Sequence, residues 1–192
     1  MYRIFPSPKQ CTFYHNTLSC TSYGSVTTAP EIEESCRAAG FDPAPLLASV
    51  FPGGFSPEGI TLTAEYVSCA PEGFQLNIAP SGIRISCGDG AGFFYALGVL
   101  VQLAAQAGGT LPCAEIADEP VLSVRGIMLD IGRDKIPAME TLRRLIDLFA
   151  SMRINHLQMY MEGFSFDYED FHYLFTNETP MTPAEFRELS LY

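Results

Sequence analysis

The sequence predicts an α/β protein in two parts, and three observations carry the prediction. An alternating strand pair followed by an apolar helix occupies the middle of the chain. A strand–helix–strand run comes later, closed by a helix start. A proline-bounded segment separates them. A small α/β (sheet plus helix) domain is therefore expected over residues 1–120, and the beginning of a larger α/β domain over 121–192. The chain's 192 residues suffice for one large or two small domains. With 47% hydrophobic and 17% charged residues it can build a core. The 22 acidic residues outweigh the 11 basic ones, for a net charge of −11. That balance argues against nucleic acid and anionic membrane surfaces as partners.

Taken in order, the first 55 residues are the least legible. YRIFP (2–6) and CTFYH (11–15) read as short strands. PEIEESCRAAG (30–40) reads as a short helix. Pro30 stands near its start, Glu31, Glu33 and Glu34 at the positive dipole end, and Gly40 as its stop. FPGGFSPEG (51–59) is a loop by its glycines and prolines. GITLTAEYV (59–67) is rich in β-branched residues and reads as a strand.

FQLNIAP (74–80) and GIRISCG (82–88) both alternate, with Phe74, Leu76 and Ile78 on one face and Ile83 and Ile85 on another. Pro80, Ser81 and Gly82 between them predict a hairpin. Asp89 is placed to cap the next helix. Its stripe is Phe93, Leu97, Leu100, Val101 and Ala104, and Gly108 and Gly109 end it. GDGAGFF (88–94) lacks the lysine of a phosphate loop and reads as a tight strand-to-helix turn. LPCAEIADEP (111–120) reads as an extended connector held by its prolines.

Beyond Pro120, RGIMLDIG (125–132) is a strand, and Pro137 opens a helix with the stripe Leu142, Leu145, Ile146 and Phe149. NHLQMYME (155–162) is a second strand. Thr182, Pro183 and Glu185 form a capping box that starts another helix. Two parallel strands with a crossover helix are the expected product. Such strands need cover on both faces, and about 70 residues give little core, so the chain reads as cut inside a larger domain.

The six cysteines are Cys11, Cys20, Cys36, Cys69, Cys87 and Cys113. None forms a CxxC pair, so no metal site of local spacing is expected. MYRIFPSPKQ has no apolar core of a secretory signal. Free, mostly buried thiols and a cytoplasmic location are the expectation. No stretch is read as apolar and long enough to cross a membrane.

In parallel α/β architectures function sits at the carboxyl ends of strands. Here those ends carry Asp130, Gly132, Arg133 and Asp134 on one strand, and Tyr160 and Glu162 on the other. An arginine offers five fixed donors, suited to vicinal hydroxyls or carboxylates. Arg133 could equally pair with Asp130 or Glu162 in a structural network. His15 has no evident partner, and His156 and His172 read as packed or capping. FSFDYEDFHYLF (164–175) could form a stacking wall for a sugar ring or a lid on its own domain.

Several of these pieces occur together in one known family. The hairpin, the AGFFYALGVLVQL helix, the IADEP connector and the RGIMLDIGR strand appear in order, followed by a strand ending in an acid. Over residues 72–163 the chain resembles glycoside hydrolase family 20, the β-N-acetylhexosaminidases. The resemblance implies that 1–120 is the family's small N-terminal α/β domain. It also implies that 121–192 is the first strand–helix–strand of a truncated TIM (β/α)8 barrel, two of the eight strands.

It implies further that Arg133 binds hydroxyls of a terminal N-acetylhexosamine, GlcNAc or GalNAc, and that Glu162 helps organise the site. Arg125 would be structural, and no cofactor or metal is implied. The family's hydrolysis is substrate-assisted and retaining: the substrate's acetamido oxygen attacks the anomeric carbon, beside an Asp–Glu pair. No such pair in a suitable context occurs here. Asp118–Glu119 lies in the connector, and Glu169–Asp170 is reversed in a loop. Asp134 and Gly163 also depart from the family pattern. The expectation is an N-terminal fragment of the enzyme, inactive alone, with carbohydrate as the partner of the complete protein and a homo-oligomer left open by the uncovered strands. The alternative is a non-catalytic carbohydrate-binding or interaction module.

Overall fold

The computed structural model describes residues 2–133, 135–163, 165–174 and 179–192. Asp134 and parts of the 164–175 stretch lie outside the described residues. The chain is of the α/β class and forms two compact units, one running to Val121 and one over Leu122–Tyr192.

The first unit holds strands β1 (Gln10–Ser19), β2 (Tyr23–Thr28), β3 (Ile60–Tyr66), β4 (Phe74–Ala79), β5 (Gly82–Cys87) and β6 (Thr110–Asp118). Its helices are α1 (Pro30–Ala38), α2 (Ala44–Val50) and α3 (Gly90–Ala107). The sheet order is β1-β6-β4-β5-β3-β2. The β2–β3 and β3–β5 pairs are parallel and the others antiparallel. Leu62, Leu76, Ile78, Ile85, Leu111 and Ile116 point into a core closed by Phe93, Leu97, Leu100 and Leu103 of α3.

Alternation makes each strand two-faced, and the opposite face stays polar. That face carries Thr12, Thr61, Thr63, Gln75, Asn77, Arg84 and Glu115 around an open concavity of about 750 Å³.

The predicted hairpin is β4–β5, with Ile78 opposite Ile83 and Leu76 opposite Ile85. Directly paired residues share a side of the sheet, so Ile83 and Ile85 join Leu76 and Ile78 on one buried face rather than forming another. Asp89 caps α3: its Oδ1 accepts from Gly92 N at 2.7 Å and its Oδ2 from Glu72 N at 2.8 Å. Gly92 is needed there, because a Cβ would lie 2.4 Å from the Gly73 carbonyl oxygen. The buried stripe of α3 runs through Phe93, Ala96, Leu97, Leu100 and Leu103, with Val101 and Ala104 only half-buried.

Other expectations need correction. The segment 111–120 is no connector: its first eight residues belong to β6, which lies between β1 and β4. Pro112 is tolerated because β4 pairs only from Ala114 onward, so its missing N–H meets a neighbour on one side only. YRIFP is not a strand. Gln106 accepts from Arg3 N and donates to Arg3 O, and Gln102 does the same for Phe5, so two α3 amides replace a neighbouring strand. The sequence also hid β2 and α2, whose apolar patterns are too short to stand out. Finally, α3 is long and apolar enough, by length and composition, to cross a membrane; here it is half-buried against the sheet as a core helix.

The six cysteines are free. Cys20, Cys36, Cys87 and Cys113 are buried, and Cys11 and Cys69 exposed. Burial, with Asp89 nearby, pushes the Cys87 thiol up to about 12.

The second unit is β7 (Gly126–Asp130), α4 (Met139–Ser151), β8 (His156–Tyr160), a 3-10 turn at Glu169–Leu174 and α5 (Pro183–Leu191). β7 and β8 are parallel, from Gly126 opposite His156 to Asp130 opposite Tyr160. α4 begins two residues beyond Pro137, which lies in the extended approach. α5 has the full capping box: Thr182 Oγ1 accepts from Glu185 N, and Glu185 Oε2 accepts from Thr182 N. The core is small, with Ile131, Leu142, Met181 and Leu189 buried.

Candidate functional site at the carboxyl ends of β7 and β8

Parallel pairing sets the ends of β7 and β8 side by side, and the ladder continues one step as Ile131 N donates to Tyr160 O at 3.0 Å. Ile131 is buried and anchors the end of β7. The chain then turns. Asp130 Oδ1 accepts from Gly132 N at 2.9 Å, a side-chain turn typical of aspartate. Gly132 lies against the neighbouring chain: a Cβ there would come 2.7 Å from Glu162 Cγ and 2.8 Å from Glu162 N. Glycine at 132 thus lets Arg133 and Glu162 approach one another.

Arg133 Nε lies 3.1 Å from Glu162 Oε1 and 3.3 Å from Asp130 Oδ2. The Tyr160 hydroxyl donates to Glu162 Oε2 at 2.8 Å. The Arg133 Cζ stands 5.8 Å from the centre of the Tyr160 ring. The electrostatics follow. The Tyr160 hydroxyl, and then Arg133, hold Glu162 below the usual carboxylate range. The carboxylate in turn raises Arg133 and Tyr160. Both carboxylates meet the guanidinium at Nε, and the Arg133 side chain is 68% exposed.

Beside it opens a cleft of about 700 Å³, lined by Arg133, Lys135, Gly163, Ser165, Met181 and Glu185 among others. This arrangement can bind hydroxyls or an anion. Among the described residues it holds no pair of adjacent acids placed for proton transfer.

Both residues singled out by sequence, Arg133 and Glu162, thus meet in one cluster, and Asp130 joins them. The hydroxyl of Tyr160 on Glu162 is the addition. Its signal was available: residues two apart in a strand point the same way, and Met161 between them packs on the core.

The other candidates lie elsewhere. Arg125 donates from Nε to Arg153 O and from Nη1 to Leu122 O, before β7. Asp118 and Glu119 hold the N-terminal segment, through Lys9 N and Lys9 Nζ respectively. His15 is exposed on β1, and His156 opens β8, also exposed. His172 does not pack, as its side chain is 76% exposed; its Nδ1 meets Asp167 at 2.8 Å. Among the described residues no group of three or more His, Cys, Asp or Glu could hold a metal ion.

Residues 1–119 match the profile of glycosyl hydrolase family 20, domain 2. A β-hexosaminidase of Akkermansia muciniphila is 32% identical over 93 residues, covering 47% of this chain and 19% of that protein. A β-hexosaminidase of Vibrio vulnificus is 26% identical over 158 residues, covering 82% of this chain and 18% of its own. The chain therefore spans under a fifth of the length of these relatives.

Among solved structures, the β-N-acetylhexosaminidase of Bacteroides fragilis aligns with a TM-score of 0.78 at 20% identity, over 98% of this chain and 42% of that one. The exo β-N-acetylglucosaminidase of Vibrio harveyi, solved with N-acetylglucosamine, gives 0.76 at 20% identity, over 97% and 33%. At such identity these two alignments show the fold.

Proposed function

The chain belongs to glycosyl hydrolase family 20, and from that premise we propose that it is the N-terminal part of a β-N-acetylhexosaminidase. In this reading β7–α4–β8 opens a TIM barrel. The complete protein removes terminal GlcNAc or GalNAc from β-linked glycans by substrate-assisted, retaining hydrolysis. Arg133 binds hydroxyls of the terminal sugar, and Glu162 holds the guanidinium in place.

The observation that carries this reading is the Arg133–Glu162 contact at adjacent strand ends, with the guanidinium still largely exposed. An arginine paired at Nε keeps donors for two neighbouring hydroxyls. Among the described residues that cluster has no adjacent acid pair, so we expect no turnover from the 192-residue chain alone. Its purified form should leave a chromogenic N-acetyl-β-glucosaminide intact, while binding N-acetylglucosamine. Arg133→Ala should abolish that binding. Robust hydrolysis by the chain, or binding indifferent to Arg133→Ala, would sink the reading.

A second reading, glycan binding by the first unit as a non-catalytic module, is favoured by the open polar face of its sheet. It predicts binding that survives Arg133→Ala and is lost in a Gln75→Ala/Asn77→Ala variant.

A further inference from the structure

The reading above gives roles to Arg133 and Glu162 and none to Tyr160. Yet the two oxygens of Glu162 have different partners: Oε1 faces Arg133 Nε at 3.1 Å, and Oε2 receives the Tyr160 hydroxyl at 2.8 Å. A carboxylate held by one partner can rotate about its last bond. Two partners on opposite oxygens fix its plane. The Tyr160 side chain is itself placed by β8, whose last residue it is, through the pairing with Asp130. Its ring also lies under the guanidinium.

We infer that Tyr160 is a positioning residue: its hydroxyl orients the Glu162 carboxylate, which in turn aims Arg133 at the hydroxyls of the bound sugar. The inference rests on the sugar-binding reading of Arg133. Its mechanical part, the grip of Tyr160 on Glu162, stands independently of any ligand. The grip makes the cluster a chain of three, Tyr160 to Glu162 to Arg133, with the strand end as its fixed support. Asp130 Oδ2 also lies 3.3 Å from the Arg133 Nε, and it would limit the loss when that chain of contacts is broken.

The test uses the full 192-residue chain and Tyr160→Phe, which keeps the ring and removes the donor. Carboxyl ¹³C NMR follows the titration of Glu162, and a parallel titration with N-acetylglucosamine follows binding. We expect the Glu162 midpoint to rise towards the ordinary glutamate value in Tyr160→Phe. The dissociation constant for the sugar should rise about fivefold, the size of one lost hydrogen bond. Tyr160→Trp, which restores bulk but not the hydroxyl, should not rescue it.

A second measurement avoids altering Tyr160. In Glu162→Gln the ionisation of Tyr160, read from its ring ¹³Cζ, should fall back towards the ordinary tyrosine value. An unmoved Glu162 midpoint in Tyr160→Phe, or an unmoved Tyr160 in Glu162→Gln, overturns the inference. Sugar binding unaffected by Arg133→Ala, with both midpoints shifted as expected, would overturn the sugar-binding reading instead and leave the grip of Tyr160 in place.

Discussion

A single missing Cβ decides whether the candidate site can form. At Gly132 a Cβ would meet Glu162 Cγ at 2.7 Å and also backbone, Glu162 N at 2.8 Å, which cannot swing aside as a side chain can. Gly132→Ala should therefore destabilise the second unit by roughly 1–3 kcal/mol, the cost of overpacking. Urea unfolding followed at that unit measures it, and an unchanged midpoint would mean the strand ends can part freely.

Charge at the same spot sets a pH dependence. Glu162 has a lowered folded value, caused first by the Tyr160 hydroxyl and then by Arg133. Its contribution to the cluster is present above the ordinary glutamate range and is lost as pH falls through the lowered value. Sugar binding should follow the same course, intact at neutral pH and failing in acid. Binding that strengthens on acidification would contradict this. The exposed Arg133–Glu162 pair adds little to stability, so the effect belongs to binding.

At the scale of elements, helix α3 is the organiser of the first unit. It buries Phe93, Leu97, Leu100 and Leu103 on the sheet, while Gln102 and Gln106 bind the N-terminal segment. Its start depends on Asp89, which serves both Gly92 N and Glu72 N. Asp89→Ala leaves two amide donors without that carboxylate and should cost about 1–2 kcal/mol of stability. Thermal unfolding by circular dichroism measures the loss, and Asp89→Asn, which keeps one acceptor, should recover part of it. A wild-type midpoint in Asp89→Ala would show that water replaces the cap.

At the scale of the whole molecule the two units differ in how much they bury. The first closes a core that reaches from Ile4 to Ile116, with helix cover on one face of six strands. Among the described residues the second has four buried apolar core residues and a two-stranded sheet. One side of that sheet is open: Met128 is 61% exposed between the exposed Gly126 and Asp130. A two-stranded sheet with one bare face has little to resist local opening. Amide hydrogen exchange should therefore be slow in β4, β5 and α3 and fast throughout β7 and β8. Equal protection in the two units would refute that ordering.

The elements that local pattern defines were legible in advance. The β4–β5 hairpin announces itself by alternation around Pro80-Ser81-Gly82. Helix α3 does so by its stripe and the Asp89 cap, and α5 by Thr182 and Glu185, because each depends on residues within a few positions of one another. The meeting of Arg133 and Glu162 could be anticipated too, since parallel strands align their ends.

What only the tertiary structure decided is the choice of distant neighbours. The strand β6 lies between β1 and β4 although Pro112 and Pro120 suggest a connector, β2 runs parallel to β3, and two glutamines stand in for a strand beside Arg3 and Phe5. Alternation tells a strand that it has one covered face; it does not say which backbone will satisfy its N–H and C=O groups. That partner comes from tens of residues away, and in β1 and β6 about a hundred, and only the closed fold selects it.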